Sequence, residues 1–183
     1  FVLIPGPGSL WTARIAAIVN ALAAVLIAKT LGRRELAWLA AGSTAILVAL
    51  VPGWDRNVVT SAPYYFAPAY ANMDRAQFTG YVNIKVLYYK EGVDSVVTVR
   101  EVPGARMYQV NGKTEATPGP GQTEILALLA EVPLNLAREA KNALVIGWGT
   151  GVTAGSLTCD QRLATIDLVE LEPAALDSGA WFI

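Results

Sequence analysis

Histidine is absent from the 183 residues, and cysteine occurs once, as Cys159. The first absence removes a His-based triad, a His proton relay and a His metal site. The second removes an internal disulfide and any cysteine-cluster zinc site. No metal is therefore expected, and Cys159 reads as a small buried hydrophobe. Charge is also scarce: 16% of residues are Asp, Glu, Lys or Arg against 54% apolar, and mean hydropathy is +0.40. A net charge of −1 gives no electrostatic attraction for nucleic acid.

The charges that exist are unevenly placed. From Phe1 to Gly53 they are Arg14, Lys29, Arg33, Arg34 and Glu35, and a composition shift follows at "PGWDR". Residues 10–28, "LWTARIAAIVNALAAVLIA", carry one charge, and residues 36–53, "LAWLAAGSTAILVALVPG", carry none. Each approaches the roughly 20 apolar residues that span a hydrocarbon core. Arg14 can snorkel, and Trp11, Trp38 and Trp54 suit the interface. With the basic turn "KTLGRRE" between them, the two runs predict a transmembrane helical hairpin. The competing reading is a buried helix pair in a soluble core. A cleaved signal peptide fits poorly, because two runs occur and no basic leader precedes them. The chain opens on Phe1 and closes on "SGAWFI", and is read as a piece of a longer polypeptide.

From about residue 82 the apolar period becomes two. "VNIKVLYYKEG", "DSVVTVREV" and "RMYQVNG" alternate and are punctuated by "EGVD", "PGA" and "NGK". Asn111-Gly112 is a tight-turn signal because both residues tolerate positive φ. A small antiparallel sheet of about four strands is predicted, with Tyr88 and Tyr89 as packing residues. "TPGPGQ" then leads to "TEILALLAEVPLNLA", whose apolar residues recur at helical spacing.

"NALVIG" is a continuous apolar run suited to a strand buried on both faces. Glycines follow at 147, 149, 151 and 155, then a short helix from about Val152 to Leu157, then a second such strand in "ATIDLVELE". "PAALDSG" opens another helix, with Pro in its first turn. Strand, glycine loop, helix, strand is the opening half of a doubly wound α/β fold. In that unit Gly147 and Gly149 turn the chain tightly and present bare backbone to a ligand, while Gly151 and Gly155 let the helix pack close. Glu170, 19 residues after Gly151, stands where a carboxylate accepts both hydroxyl hydrogens of a ribose, with Glu172 as the fallback. Trp148 either covers a nucleoside or packs on the following helix. "GTGVTA" also matches a dinucleotide fingerprint, so the loop alone does not separate a dinucleotide from an adenosyl-sulfonium ligand.

Taken in order, "YYKEGVDSVVTV", "QVNGKTEAT", "LLAEVPLNL", "ALVIGWGTGVTAG" and "DLVELEPAAL" resemble the spermidine/spermine synthase (polyamine aminopropyltransferase) family. "LIPGPGS", the helix pair and "PGWDRNVVTSAPYY" resemble the bacterial members that carry a membrane domain ahead of the synthase-like domain. The resemblance implies a layout: residues 1–53 end a helical transmembrane domain, 54–81 form a junction, 82–117 a small N-terminal β-sheet, and 118–183 the truncated first half of a methyltransferase-like Rossmann fold.

It also implies an activity, transfer of an aminopropyl group from decarboxylated S-adenosylmethionine to putrescine or a similar amine. The sulfonium compound is a co-substrate, so no resident cofactor is expected. By matching motif positions, Gly147, Gly149, Thr150 and Gly151 would line the nucleoside and Glu170 would hold its ribose. Asp94, Glu115 and Gln122 fall where the family places amine-pocket groups. The chain departs from the family pattern at Thr150, where an Asp commonly meets the ligand's free amine, and at Pro120-Gly121-Gln122, where an acidic residue is usual. Asp94 and Glu115 align with positions that commonly carry Gln. The family's catalytic Asp is expected beyond Ile183, so this stretch by itself is expected to be catalytically incompetent.

The expected partners are a polyamine, an adenosyl-sulfonium ligand and the membrane, in a multi-pass protein compatible with a homo-oligomer. The basic turn alone would place the soluble part across the membrane from it, whereas an intracellular co-substrate places it on the cytoplasmic side, which is the expectation adopted. Two alternatives accompany this reading: an S-adenosylmethionine-binding methyltransferase-like protein, and a non-catalytic polyamine-binding or transport module. An NAD(P) oxidoreductase ranks below them, because a β-sheet region precedes the glycine loop and no matching catalytic residues are visible.

Overall fold

A computed structural model describes residues 3–182. The chain divides into two compact units, Phe1–Trp54 and Asp55–Ile183.

The first unit is a helical hairpin of α1 (Ser9–Thr30) and α2 (Arg34–Leu50). Gly32, at φ +69°, ends α1 in a left-handed cap. Its N–H donates to Lys29 O, and Arg33 N–H donates to Ala28 O at 2.8 Å, so the last carbonyls are satisfied as the chain reverses. Both helices are apolar on their outward sides, with Leu22, Leu26, Trp38, Leu39 and Leu47 exposed.

Of the two expected spans, only α1 is long and apolar enough to cross a membrane among the described residues. α1 has 22 residues and α2 has 17, which at 1.5 Å per residue is roughly 33 Å against 26 Å. α2 begins within the charged triplet Arg33-Arg34-Glu35, which shortens its uncharged part, and it ends at Leu50, ahead of Pro52. Arg14 does not snorkel freely. Its Nη2 donates to Val51 O at 2.8 Å, beyond the end of α2, and its guanidinium lies 4.9 Å from the Trp11 ring centroid.

The second unit begins with three short helices, α3 (Arg56–Val59), α4 (Ala67–Tyr70) and α5 (Arg75–Val82). Asp55 caps α3, and Asp74 with Gln77 forms a capping box at α5. Tyr70 gathers Phe66, Phe78 and Tyr81 around it in tilted and edge-on contacts. Strands β1 (Val86–Glu91), β2 (Val96–Val102), β3 (Ala105–Val110) and β4 (Lys113–Ala116) follow as one antiparallel sheet in sequence order. The β3–β4 turn is Asn111-Gly112, at φ +51° and +79°, and Asn111 Oδ1 also accepts Val96 N–H at 2.8 Å.

After α6 (Gln122–Leu136), β5 (Asn142–Ile146) and β6 (Thr165–Val169) pair in parallel around α7 (Val152–Leu157). α8 (Pro173–Ser178) and a single 3-10 turn, Gly179–Trp181, complete the described chain. Pro133 sits inside α6 and leaves the Leu129 carbonyl without its usual i+4 donor.

Two cores result. Val97, Tyr108 and Ala116 of the four-stranded sheet pack on Ala174 and Ala175 of α8. Ala130 and Leu134 of α6 pack with Leu157 of α7 on Ala143, Val145 and Ile166. The expectation that β5 and β6 are covered on both faces is not met among the described residues. Leu144, Ile146 and Val169 are exposed, because α6 and α7 lie on one side of the pair only. Cys159 is also exposed, against expectation, since it falls in the turn after α7 and not on a helix face.

Gly112 is the tightest turn position. A Cβ there would lie 2.6 Å from Ala62 N and 2.9 Å from Thr60 O, on top of the positive φ. Gly112→Ala is expected to destabilise the protein by roughly 3 kcal/mol, from left-handed strain plus overpacking. A lower denaturation midpoint with unchanged slope would show it; an unaltered midpoint would contradict it.

Candidate functional site

The site is built at the carboxyl end of β5. Gly147 N–H donates to Val169 O at 2.8 Å, so the parallel ladder runs to the first glycine, where φ of +90° turns the chain. Gly151, at φ +81°, closes the bend and caps α7. A Cβ on Gly151 would lie 2.7 Å from Trp148 Cζ2, and one on Gly179 would lie 2.8 Å from Trp148 Nε1. The Trp148 ring is held between Gly151 and Gly179, and Trp148 also lines the cavity beside the glycine bend, so both packing and covering a ligand stay open to it. Gly155 has a different setting from that expected, with open space where a Cβ would be, so it makes no close helix–strand approach.

Glu170 follows β6 directly and holds this bend. Its Oε2 accepts Trp148 N–H at 2.6 Å and its Oε1 accepts Glu172 N–H at 2.8 Å. A carboxylate offers about four lone-pair positions, so two remain for a ligand's hydroxyl groups. Glu172 is not on the same strand face, because β6 has ended at Val169. It is 6% exposed and accepts N–H bonds from Asp94 at 3.1 Å, Ser95 at 3.2 Å and Ala174 at 3.1 Å. Gly92 leaves room for it, since a Cβ there would fall 2.0 Å from Glu172 Oε1. Burial pushes the Glu172 carboxyl up, but the N–H groups of Asp94, Ala174, Ser95 and Val93 outweigh burial and hold it below its ordinary value. Glu172 is thus a strut between the β1–β2 turn and α8, and not a substitute ribose ligand.

Between the glycine bend, α6 and the four-stranded sheet lies a cavity of about 620 Å³. Gly147, Gly149 and Thr150 line it, with Tyr108, Glu115 and Leu126 across from them. Thr150 is buried, and Thr153 Oγ1 donates to Leu126 O at 2.8 Å, tying α7 to α6.

Glu115 reaches the cavity through a register shift. Tyr108 pairs with Ala116 while Gln109 pairs with Thr114, which makes Glu115 the extra residue of a β-bulge. Such bulges re-aim a side chain. Glu115 Oε1 also receives Lys113 Nζ at 3.0 Å.

The other two amine-pocket candidates stand apart from this cavity. Asp94 is exposed in the β1–β2 turn, where its N–H serves Glu172, and Gln122 Oε1 accepts Thr117 N–H at 2.7 Å ahead of α6. Tyr88 donates to Ala174 O at 3.0 Å, and Tyr89 donates to Glu91 Oε1 while stacking on Arg56.

Tyr108 is the lining residue that the sequence reading missed. It is an inward position of a period-two strand, so its signal was burial and not chemistry. Burial, and then the negative charges of Glu170, Glu115 and Glu172, push its hydroxyl up to about 12. It stays a neutral donor at physiological pH, and its surroundings are electronegative.

No family model and no curated protein matches the chain. Among solved structures, a spermidine synthase in complex with the transition state analogue AdoDATO is similar at 22% identity and a TM-score of 0.48, over 54% of this chain and 33% of that one. Spermidine synthase from Thermotoga maritima is similar at 22% identity and a TM-score of 0.49, over 52% and 33%. The chain thus spans about a third of the length of these structures.

The depressed carboxyl of Glu172 sets a pH dependence. Its stabilising effect is fully present above the ordinary value of 4.5 and is lost as pH falls through the lower folded-state value. Glu172→Gln is expected to cost roughly 2 kcal/mol at pH 7, the scale of hydrogen bonds to a charged group, and to flatten the acid limb of the stability curve. Denaturation midpoints between pH 3 and 7 check this; parallel curves for the two proteins would refute it.

Proposed function

We propose that the chain is part of a membrane-anchored, spermidine synthase-like transferase, which moves an aminopropyl group from decarboxylated S-adenosylmethionine to putrescine or a similar amine. The observation that carries the reading is the 620 Å³ cavity in which the backbone of the glycine bend meets Tyr108 and the bulged Glu115. In this assignment the adenosine lies along Gly147, Gly149 and Thr150, which line the cavity, and reaches past its lining to Gly151 and to the free lone pairs of Glu170, which take the ribose hydroxyls. The amine end lies toward Glu115. Both substrates are cations, and the carboxylates that raise the Tyr108 hydroxyl create a field that suits them.

The reaction needs little from the protein beyond placement. The amine nitrogen forms a bond to the carbon beside the sulfonium, the carbon–sulfur bond breaks, and its electron pair returns to sulfur. A neutral thioether leaves, and the new secondary amine releases one proton. Holding nitrogen and carbon in line supplies most of the acceleration, and the released proton passes to solvent. The helical hairpin anchors the assembly through α1, with the transferase unit on the cytoplasmic side, where an intracellular sulfonium compound is available.

A second reading is favoured by one observation. Thr150 is buried and uncharged where a carboxylate would select a free amine. S-adenosylmethionine itself would then be the ligand, in a methyltransferase-like protein.

Calorimetry on the full-length protein in nanodiscs separates the readings. Tighter binding of the decarboxylated compound, with spermidine and the thioether formed from putrescine, is the expected result. Tighter binding of S-adenosylmethionine would favour the second reading, and no affinity for either would overturn both. Glu170→Gln is expected to weaken nucleoside binding roughly thirtyfold, as a charged hydrogen bond is lost. Glu115→Gln is expected to raise KM for the amine while leaving nucleoside affinity unchanged; equal losses in both would remove Glu115 from the amine pocket.

A further inference from the structure

The four-stranded sheet has a second face, and it is polar. Thr98 and Arg100 of β2 and Gln109 of β3 are all buried there, beneath the junction segment 55–82. Thr98 and Gln109 are direct cross-strand partners, and Arg100 pairs with Met107. Thr98 Oγ1, Arg100 Nε and Gln109 Oε1 are each buried without a hydrogen-bond partner among the described residues. Three such atoms on one face of one sheet are unusual, since buried polar groups are nearly always paired.

Arg100 is 2% exposed, yet no carboxylate bonds to it. Its Nη2 reaches Val82 O, Ile84 O at 3.3 Å and Asn57 Oδ1 at 3.5 Å, all neutral acceptors. Burial alone lowers its affinity for a proton, partly offset by Tyr70. A buried cation without an anion is costly. Gln109 is oriented by its donors, which reach Gly112 O at 3.0 Å and Thr114 Oγ1 at 3.3 Å, so its oxygen is left as a free acceptor. The Tyr70 hydroxyl is already committed to Ser61 O at 2.9 Å.

Arg100 and Gln109, though not Thr98, border a chamber of about 220 Å³, walled also by Met107, Phe66, Tyr70 and Tyr81. It shares no lining residue with the glycine-bend cavity.

We propose that this chamber is a second binding site, for a small carboxylate that also carries an N–H donor, such as a short ω-amino acid. The carboxylate supplies the anion that Arg100 lacks, and the charge-assisted bond is of the stronger kind. The amino group donates to Gln109 Oε1 and faces the rings of Tyr81 and Phe66, where a cation is favoured.

Calorimetry on the full chain in nanodiscs tests this with β-alanine as the probe, and propionate and propylamine as single-ended controls. Saturable binding of β-alanine is expected, with each control weaker by roughly tenfold or more, one charged contact being lost. Arg100→Gln is expected to abolish it. Thr114→Leu, at an exposed strand position on the chamber wall, is expected to weaken it with the circular dichroism spectrum unchanged, and it decides the matter should Arg100→Gln fail to fold. The proposal is overturned if the unaltered protein shows no saturable β-alanine binding, if binding survives Arg100→Gln, or if Thr114→Leu binds unchanged. In those cases the chamber is a solvent-filled void.

Discussion

Two carboxylates, Glu170 and Glu172, hold the Asp55–Ile183 unit together through backbone N–H groups. Glu170 bonds Trp148 and Glu172, so the end of β6 is clamped to the bend after β5. Glu172 bonds Asp94, Ser95 and Ala174, so the same stretch is clamped to the β1–β2 turn and to α8. A carboxylate that gathers several N–H donors is a strong, directional junction, and this pair joins the two sheets across intervals of 77 and 78 residues. The cavity lies between the elements so joined.

The four-stranded sheet serves two environments. One face is apolar and sealed by Ala174 and Ala175, residues small enough to bring α8 close. The other carries Thr98, Arg100 and Gln109 under a cover of short helices and aromatic rings. An all-apolar second face would pack more simply, so the polar groups there call for a ligand to answer them. The helical hairpin differs, with Leu22, Leu26, Trp38, Leu39 and Leu47 turned outward, and among the described residues only α1 is long and apolar enough to cross a membrane.

Much of this architecture was legible in local pattern. The period-two runs located β1, β2 and β3, Asn111-Gly112 located the tightest turn of the sheet, and the spacing of glycines after "NALVI" located the bend between parallel strands. Length proved less legible than composition: α2 is as apolar as α1 by inspection, yet it has only 17 residues, two of them the charged Arg34 and Glu35, and stops ahead of Pro52. The equivalence drawn between Glu170 and Glu172 failed because residues two apart share a face only while the strand continues, and β6 ends at Val169. Cys159 was misjudged for a similar reason, since the helix that would have buried it stops at Leu157.

The sequence by itself determined the kinds of element, their order, and the chemistry on offer: a bare-backbone bend with carboxylates downstream, behind an apolar helical hairpin. Those properties follow from short-range periodicity and from φ preferences of single residues. Only the tertiary structure decided which of the candidate side chains meet the cavity. Glu115 arrives by a one-residue bulge, Asp94 and Gln122 remain outside, and Glu172 is withdrawn into a cradle of N–H groups contributed from 77 residues away. Register shifts and long-range hydrogen bonds arise from the packing of whole elements, and a residue's neighbours along the chain carry no record of them.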